Sequence, residues 1–187
     1  MVKVFLRSHD IHYAAQLSAL IQTPGVKQAL ALTDEQCTVR AMEQFIRTMQ
    51  LEEMEGRFYS RMIMNECHEV VGVITLKNID HTTQSCHIST WIGEQYWGKG
   101  YNVAAKEKIL YTAFLNYDLM YVFAGARVEN LRSRTSQRHL PYMTMRVESE
   151  FPLEHRRLER LEQSHCVLNV VKRLDFLNWY YHQRIAS

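Results

Sequence analysis

Proline and glycine are scarce, with three and seven residues, and neither clusters. That excludes a Pro- or Gly-rich linker, so residues 1–187 read as a single domain of the usual ~100–200 residues. The four cysteines, Cys37, Cys67, Cys86 and Cys166, form no C-x-x-C pair. A zinc ribbon, a redox motif and a disulfide framework are excluded, and no metal is expected. Scattered thiols of this kind are expected to be reduced, in the cytoplasm. No run approaches the ~20 apolar residues of a membrane span, and Met1–Arg7 lacks the apolar stretch of a signal peptide. The formal net charge is only +2, and no basic patch with interleaved aromatics occurs, so neither nucleic acid nor an anionic membrane is an expected partner. What is present is a hydrophobic content of 47%, enough to bury a core.

The apolar spacing gives an ordered series of elements. Val2–Leu6 reads as a strand. Ile11–Ile21 reads as a helix ended by Thr23-Pro24-Gly25, and Thr38–Met54 as a second helix with Val39, Met42, Ile46 and Met49 on one face. Strands are predicted at 58–64, 70–76 and 85–92, with a hairpin turn at 65–69. Asn102–Tyr117 reads as a helix that turns Lys106, Glu107 and Lys108 away from its apolar face. A strand at 121–128 and a helix at 132–139 capped by Asn130 follow, then strands at 142–151 and 166–172 and a closing helix at 175–183. Leu153–His165, with three Glu and three Arg, reads as a solvated loop or short helix. The unit from 85 to 128 is a right-handed crossover between parallel strands, and the others form an antiparallel meander. The expected class is α+β: a mixed, mostly antiparallel central sheet with helices on both faces.

The most informative stretch is Gln95-Tyr96-Trp97-Gly98-Lys99-Gly100-Tyr101, between a strand and a helix. A helix start leaves about four N–H groups without partners and carries roughly half a positive charge. Two glycines let the chain turn so that amides converge on a diphosphate. The chain has no G-x-x-x-x-G-K-[ST], which excludes a P-loop, and Val103 stands where a dinucleotide fingerprint needs its third glycine.

Strand, Q-x-x-G-x-G and helix together resemble the acetyl-CoA-binding core of the GCN5-related N-acetyltransferases. The run from Trp91 to Tyr101 is similar to the subgroup that modifies ribosomal protein N-termini. Asn130-Leu-Arg-Ser133 matches that family's N-x-x-S, and Leu140-Pro141-Tyr142 falls where the family has L-G-F. The resemblance covers about residues 2–151. It implies acetyl-CoA as cosubstrate and a primary amine as acceptor, either a protein N-terminus or a small molecule, in a monomer or homodimer. By carry-over, Trp91 and Ile92 offer backbone groups to pantetheine. Gln95, Gly98, Lys99, Gly100 and Tyr101 surround the pyrophosphate. Asn130 bonds the pantetheine arm and Ser133 lies near it.

Amine acetylation needs a group to take a proton from the nitrogen and, on some paths, an acid for the departing thiolate. His87 stands where the subgroup commonly has a glutamate, and an ordinary histidine pKa of about 6.5 suits a base. Cys86 beside it points to the opposite face, so a Cys–His pair is not expected. Where relatives place an acidic tyrosine this chain has Gln137, and Tyr142 is the substitute candidate. The competing reading is a catalytically weak module that binds or senses acyl-CoA. His9-Asp10-His12 reads as a surface turn rather than a metal site.

Overall fold

The computed structural model describes residues 2–185. Thr38 begins the long helix Val39–Met54 (α3) by accepting the Ala41 N–H on its hydroxyl at 3.2 Å. Met42, Ile46 and Met49 are the buried stripe of that helix. Before it come a strand Phe5–Arg7 (β1) and two helices, Ala14–Ile21 (α1) and Pro24–Leu30 (α2). The second of these stands where the sequence suggests only a helix stop. Proline cannot continue a helix, but its fixed φ suits the first helical position, and Pro24 starts one here.

Strands follow at Tyr59–Met64 (β2), Val70–Asp80 (β3) and Ser85–Ile92 (β4). Helix Tyr101–Leu115 (α4) leads to strand Tyr121–Arg127 (β5) and helix Leu131–Arg138 (α5). The last elements are Met143–Thr144 (β6), helix Pro152–Glu162 (α6), strand Cys166–Lys172 (β7) and helix Arg173–Ile185 (α7). Seven strands hydrogen-bond in the order β1-β2-β3-β4-β5-β7-β6. β1, β2 and β3 pair antiparallel, β4 with β5 parallel, and β7 antiparallel to both β5 and β6. This is the mixed, mostly antiparallel α+β sheet expected from the sequence.

The chain clusters into two compact units, one built on the residues through Ile79 with Ser89–Tyr111, the other on Asp80–Ile88 with the residues from Thr112 onward. The first has a core of Leu17, Leu20 and Ile21, with Val26 of α2, Met42 and Ile46 of α3, and Met62 and Val73 of the sheet. In the second, Phe123, Cys166, Leu168 and Val170 of the sheet pack with Val147 and Leu158.

The strand expected at 142–151 is only two residues long. Arg146 takes φ +62°, and its N–H donates to Asn169 Oδ1 at 2.8 Å, which turns the chain off the sheet. The charged stretch after it is a full helix, α6. Leu158 is its one buried residue, and a Cβ at Gly125 would stand 2.5 Å from Leu158 Cδ2, so that glycine makes the room the helix needs.

Candidate active site

The candidate residues divide between the units. Trp91, Ile92 and the loop from Gln95 to Tyr101 belong to the first; His87, Asn130, Ser133 and Tyr142 belong to the second.

In the first unit, β4 ends at Ile92 and the chain turns through Glu94–Tyr96 into the glycine pair. Gly98 and Gly100 sit at φ +74° and +84°, a region that side chains with a Cβ rarely occupy. A Cβ at Gly98 would meet nothing within 4 Å, so glycine is required there by the backbone and not by crowding. The hydrogen-bond ladder of α4 begins with Ala104 N–H on Gly100 O at 3.1 Å, which leaves the first-turn amides outside it. Two left-handed glycines before a helix start are a backbone shape suited to a diphosphate.

The loop is braced from both sides. Trp97 Nε1 donates to Ile92 O at 2.7 Å, and Glu94 Oε2 accepts the Gly25 N–H of α2 at 3.0 Å. Tyr96 stacks edge-on to Tyr101, with Lys99 Nζ 5.6 Å from the Tyr96 ring. The Trp91 carbonyl is packed against Gly72, where a Cβ would approach it to 2.2 Å. The helix that supports Gly25 was not legible in the sequence.

Lys106 also departs from expectation. It is buried, at 6% exposure, and burial lowers its pKa to about 8. The helical-face reading failed because α4 is buried around most of its circumference, with Ala104, Ala105, Ile109, Leu110 and Ala113 all inside.

In the second unit, the parallel register of β4 and β5 runs from Ser85–Tyr121 to His87–Phe123. His87 is 6% exposed, with its ring 5.5 Å from that of Phe123. Its Nε2 lies 2.5 Å from Glu154 Oε1, in the first turn of α6. The Glu154 carboxyl is held below its ordinary range, chiefly by the hydrogen bond from His87. Nothing in the sequence pairs these two residues, which are 67 positions apart. Burial pushes the neighbouring Cys86 thiol far up, so it is an inert core residue.

Asn130 caps α5 by accepting the Ser133 N–H on Oδ1 at 3.0 Å. Gln137 is buried and fully engaged. Its Nε2 donates to Ser133 Oγ at 3.1 Å and to Gly125 O at 3.3 Å, while its Oε1 accepts from Asn169 Nδ2 at 2.6 Å. Tyr142 is enclosed by Phe176 and Trp179, with ring centroids 5.1 and 4.7 Å away. That aromatic cluster accounts for its burial without a catalytic role. Ser89 is exposed and Thr90 half-buried.

His9-Asp10-His12 is not one surface turn. Asp10 caps the turn Ile11–Tyr13 by accepting the His12 N–H, but His9 is buried and bonded to Ser60 Oγ at 2.8 Å. Among the described residues, no group of three or more His, Cys, Asp or Glu is placed to hold a metal ion, and no helix is long and apolar enough to cross a membrane.

A mixed sheet with a phosphate-type loop between its fourth strand and the following helix defines an acyltransferase-type α+β fold. The family model for the acetyltransferase (GNAT) domain matches residues 3–140, and the chain belongs to that family of N-acetyltransferases. It is 27% identical over 133 residues to an uncharacterized N-acetyltransferase, p20, of Bacillus licheniformis, covering 70% of this chain and 74% of that one. It is 32% identical over 72 residues to the putative ribosomal N-acetyltransferase YdaF of Bacillus subtilis, covering 38% and 39%. Among solved structures, it resembles RimJ of Mycobacterium smegmatis in complex with CoA-disulfide, with TM-score 0.69, 19% identity and coverage of 90% and 81%. It also resembles a spermidine N-acetyltransferase SpeG chimera from Vibrio cholerae and hSSAT, with TM-score 0.68, 14% identity and coverage of 94% and 98%.

Proposed function

We propose that residues 1–187 form one acetyltransferase domain that binds acetyl-CoA and passes its acetyl group to a primary amine by direct attack. The observation that carries this reading is the loop itself: Gly98 and Gly100 in the left-handed region, ahead of a helix whose ladder starts only at Ala104. Gln95, Gly98, Lys99, Gly100 and Tyr101 would surround the pyrophosphate, with the first-turn amides and the positive helix end supplying the attraction. Trp91 and Ile92 end the strand beside it, and by the resemblance Asn130 and Ser133 serve the coenzyme's arm. Bound acetyl-CoA supplies the activated carbonyl. His87 takes the proton that the attacking nitrogen sheds, directly or through a water. The thiolate leaves without a dedicated acid, since Gln137 is consumed in its own network.

The acceptor classes in the names of similar proteins are a ribosomal protein and spermidine. The acidic end of α3 does not favour a polyamine. Arg61 grips Glu53 with two bonds of 2.6 and 2.7 Å, and Arg57 pairs with both Glu52 and Glu55. A protein N-terminal amine is therefore the preferred acceptor.

Titration calorimetry with acetyl-CoA, followed by thiol release with N-terminal Ser, Ala and Met peptides, spermidine and amino sugars, tests the reading. Saturable binding that Gly98→Val weakens by about tenfold or more, with turnover on a peptide, is the expected result. Absence of binding would end it. Binding with no thiol release on any amine selects the acyl-CoA-sensing module, the reading that the buried Gln137 favours.

A further inference from the structure

His87 and Glu154 meet in the second unit by a route that fixes both. His87 sits in the last paired position of β4 with β5, opposite Phe123. Glu154 is the third residue of α6, after Pro152 at the helix start. Leu158, one turn further on, is buried with Phe123, Val147, Cys166, Leu168 and Val170 and anchors the helix. A carboxylate in a first helical turn is favoured by the helix dipole. Arg157 Nη1, 3.8 Å away, adds a second attraction, and Asp80 opposes it. Phe151 and Tyr121 meet edge-on at 5.4 Å and both pack on Phe123, whose ring lies 4.9 Å from Phe151 and 6.3 Å from Tyr121.

A carboxylate accepts hydrogen bonds and donates none. The ring nitrogen 2.5 Å from it, Nε2, therefore carries the proton. In a neutral imidazole the lone pair then belongs to Nδ1. Among the described residues no side chain or backbone group bonds that Nδ1. We infer that Glu154 is a positioning residue: it locks His87 with Nε2 protonated and Nδ1 free as the atom that accepts the amine's proton. The inference rests on the reading of His87 as base. As the new C–N bond forms and the C–S bond breaks, the nitrogen's proton moves to Nδ1. The imidazolium is held against the Glu154 carboxylate until Nδ1 gives the proton to the thiolate or to solvent.

The tautomer can be read without any substrate. Histidine-selective 15N labelling of the full chain and long-range 1H–15N spectra near pH 8 report it, with His87→Gln identifying the ring. The wild type should show a protonated Nε2 and a pyridine-like Nδ1, and Glu154→Gln should give a mixture of tautomers. A protonated Nδ1 in the wild type overturns the inference. In thiol-release assays with the best peptide of the panel, Glu154→Gln should lower kcat by roughly tenfold or more and leave KM for acetyl-CoA unchanged. Glu154→Asp should recover part of the rate. A Glu154→Gln kcat equal to that of the wild type overturns the inference even if the spectrum agrees. If the wild type releases no thiol at all, the acetyl-transfer reading fails, and the ring spectrum still decides the tautomer by itself.

Discussion

Each unit of the molecule buries one histidine to the same degree, 6% exposure, and the two rings have opposite partners. In the first unit, His9 Nε2 meets Ser60 Oγ at 2.8 Å, and Ser60 Oγ continues to Thr75 Oγ1 at 2.7 Å. Its Nδ1 is buried without a bond, and its ring stands edge-on to Phe45. In the second unit, His87 faces a carboxylate. Neutral hydroxyls can satisfy an imidazole but bring no charge to offset an imidazolium, whereas a carboxylate does. Burial by itself therefore does not mark a base; the charge on the partner does. The His9 pKa follows this logic. It is lowered to about 4 by burial first and by the Arg61 guanidinium second, with Glu53 opposing.

The sharpest way to break the comparison is to remove each ring. His87→Gln should lower kcat by roughly 10²- to 10⁴-fold, the range of a lost general base, with KM for acetyl-CoA little changed. His9→Gln should leave kcat within about twofold and lower Tm, through the loss of a buried hydrogen bond of about 1 kcal/mol. Thiol-release kinetics and thermal melts of both variants decide it. Equal kinetic losses would mean that the partner's charge is irrelevant.

That contrast was only partly legible in the sequence. The loop was, because glycines at positive φ before a helix leave a fixed spacing, and Gln95 to Tyr101 shows it. The sheet was, because strand runs such as 85–92 and 121–127 are unbroken apolar or alternating segments. His87 could be marked by its place in the strand. Its partner could not, because α6 has one buried residue, Leu158, and its charge pattern is that of a solvated stretch. The Ser60–Thr75 chain was equally hidden, since hydroxyl partners on β2 and β3 leave no periodic signal. Lys106 was misread because a helix buried on most sides gives no polar face to its charged residues.

The next largest effect is the pH dependence of stability that His9 brings. A histidine whose folded pKa lies below its unfolded value favours folding in its neutral form. Its contribution is complete above about pH 6.5 and is lost as pH falls through the interval down to about 4. Full traverse of that interval is worth about 3 kcal/mol, at 1.36 kcal/mol per pH unit. Urea unfolding of the wild type should therefore weaken between pH 6.5 and 4, and His9→Gln should flatten that part of the curve. The Glu154 carboxylate, with its lowered pKa, acts in a different window. Its contribution is present above the ordinary carboxylate range near 4.5 and is lost only as pH falls below it.

Lys106 extends the comparison to a buried ionisable group with no side-chain partner among the described residues. With no anion or hydroxyl to offset it, burial acts alone on the ammonium. Near pH 7 the lysine is protonated in both folded and unfolded chains, so the folded state carries the full cost of a buried cation. Between about pH 8 and 10.5 the folded state releases its proton first, and stability rises with pH. Lys106→Met keeps an unbranched side chain, one heavy atom shorter, and removes the charge. The cation's cost, up to about 3 kcal/mol, is offset in part by imperfect repacking, so a net gain of about 1–2 kcal/mol is expected at pH 7. The variant should also lose the alkaline rise. Urea unfolding at pH 7 and pH 10 measures both. A destabilised variant would show that the ammonium is held by something other than this chain's side chains. The loss should then grow in the presence of saturating acetyl-CoA if that partner is the coenzyme, and stay constant if it is water.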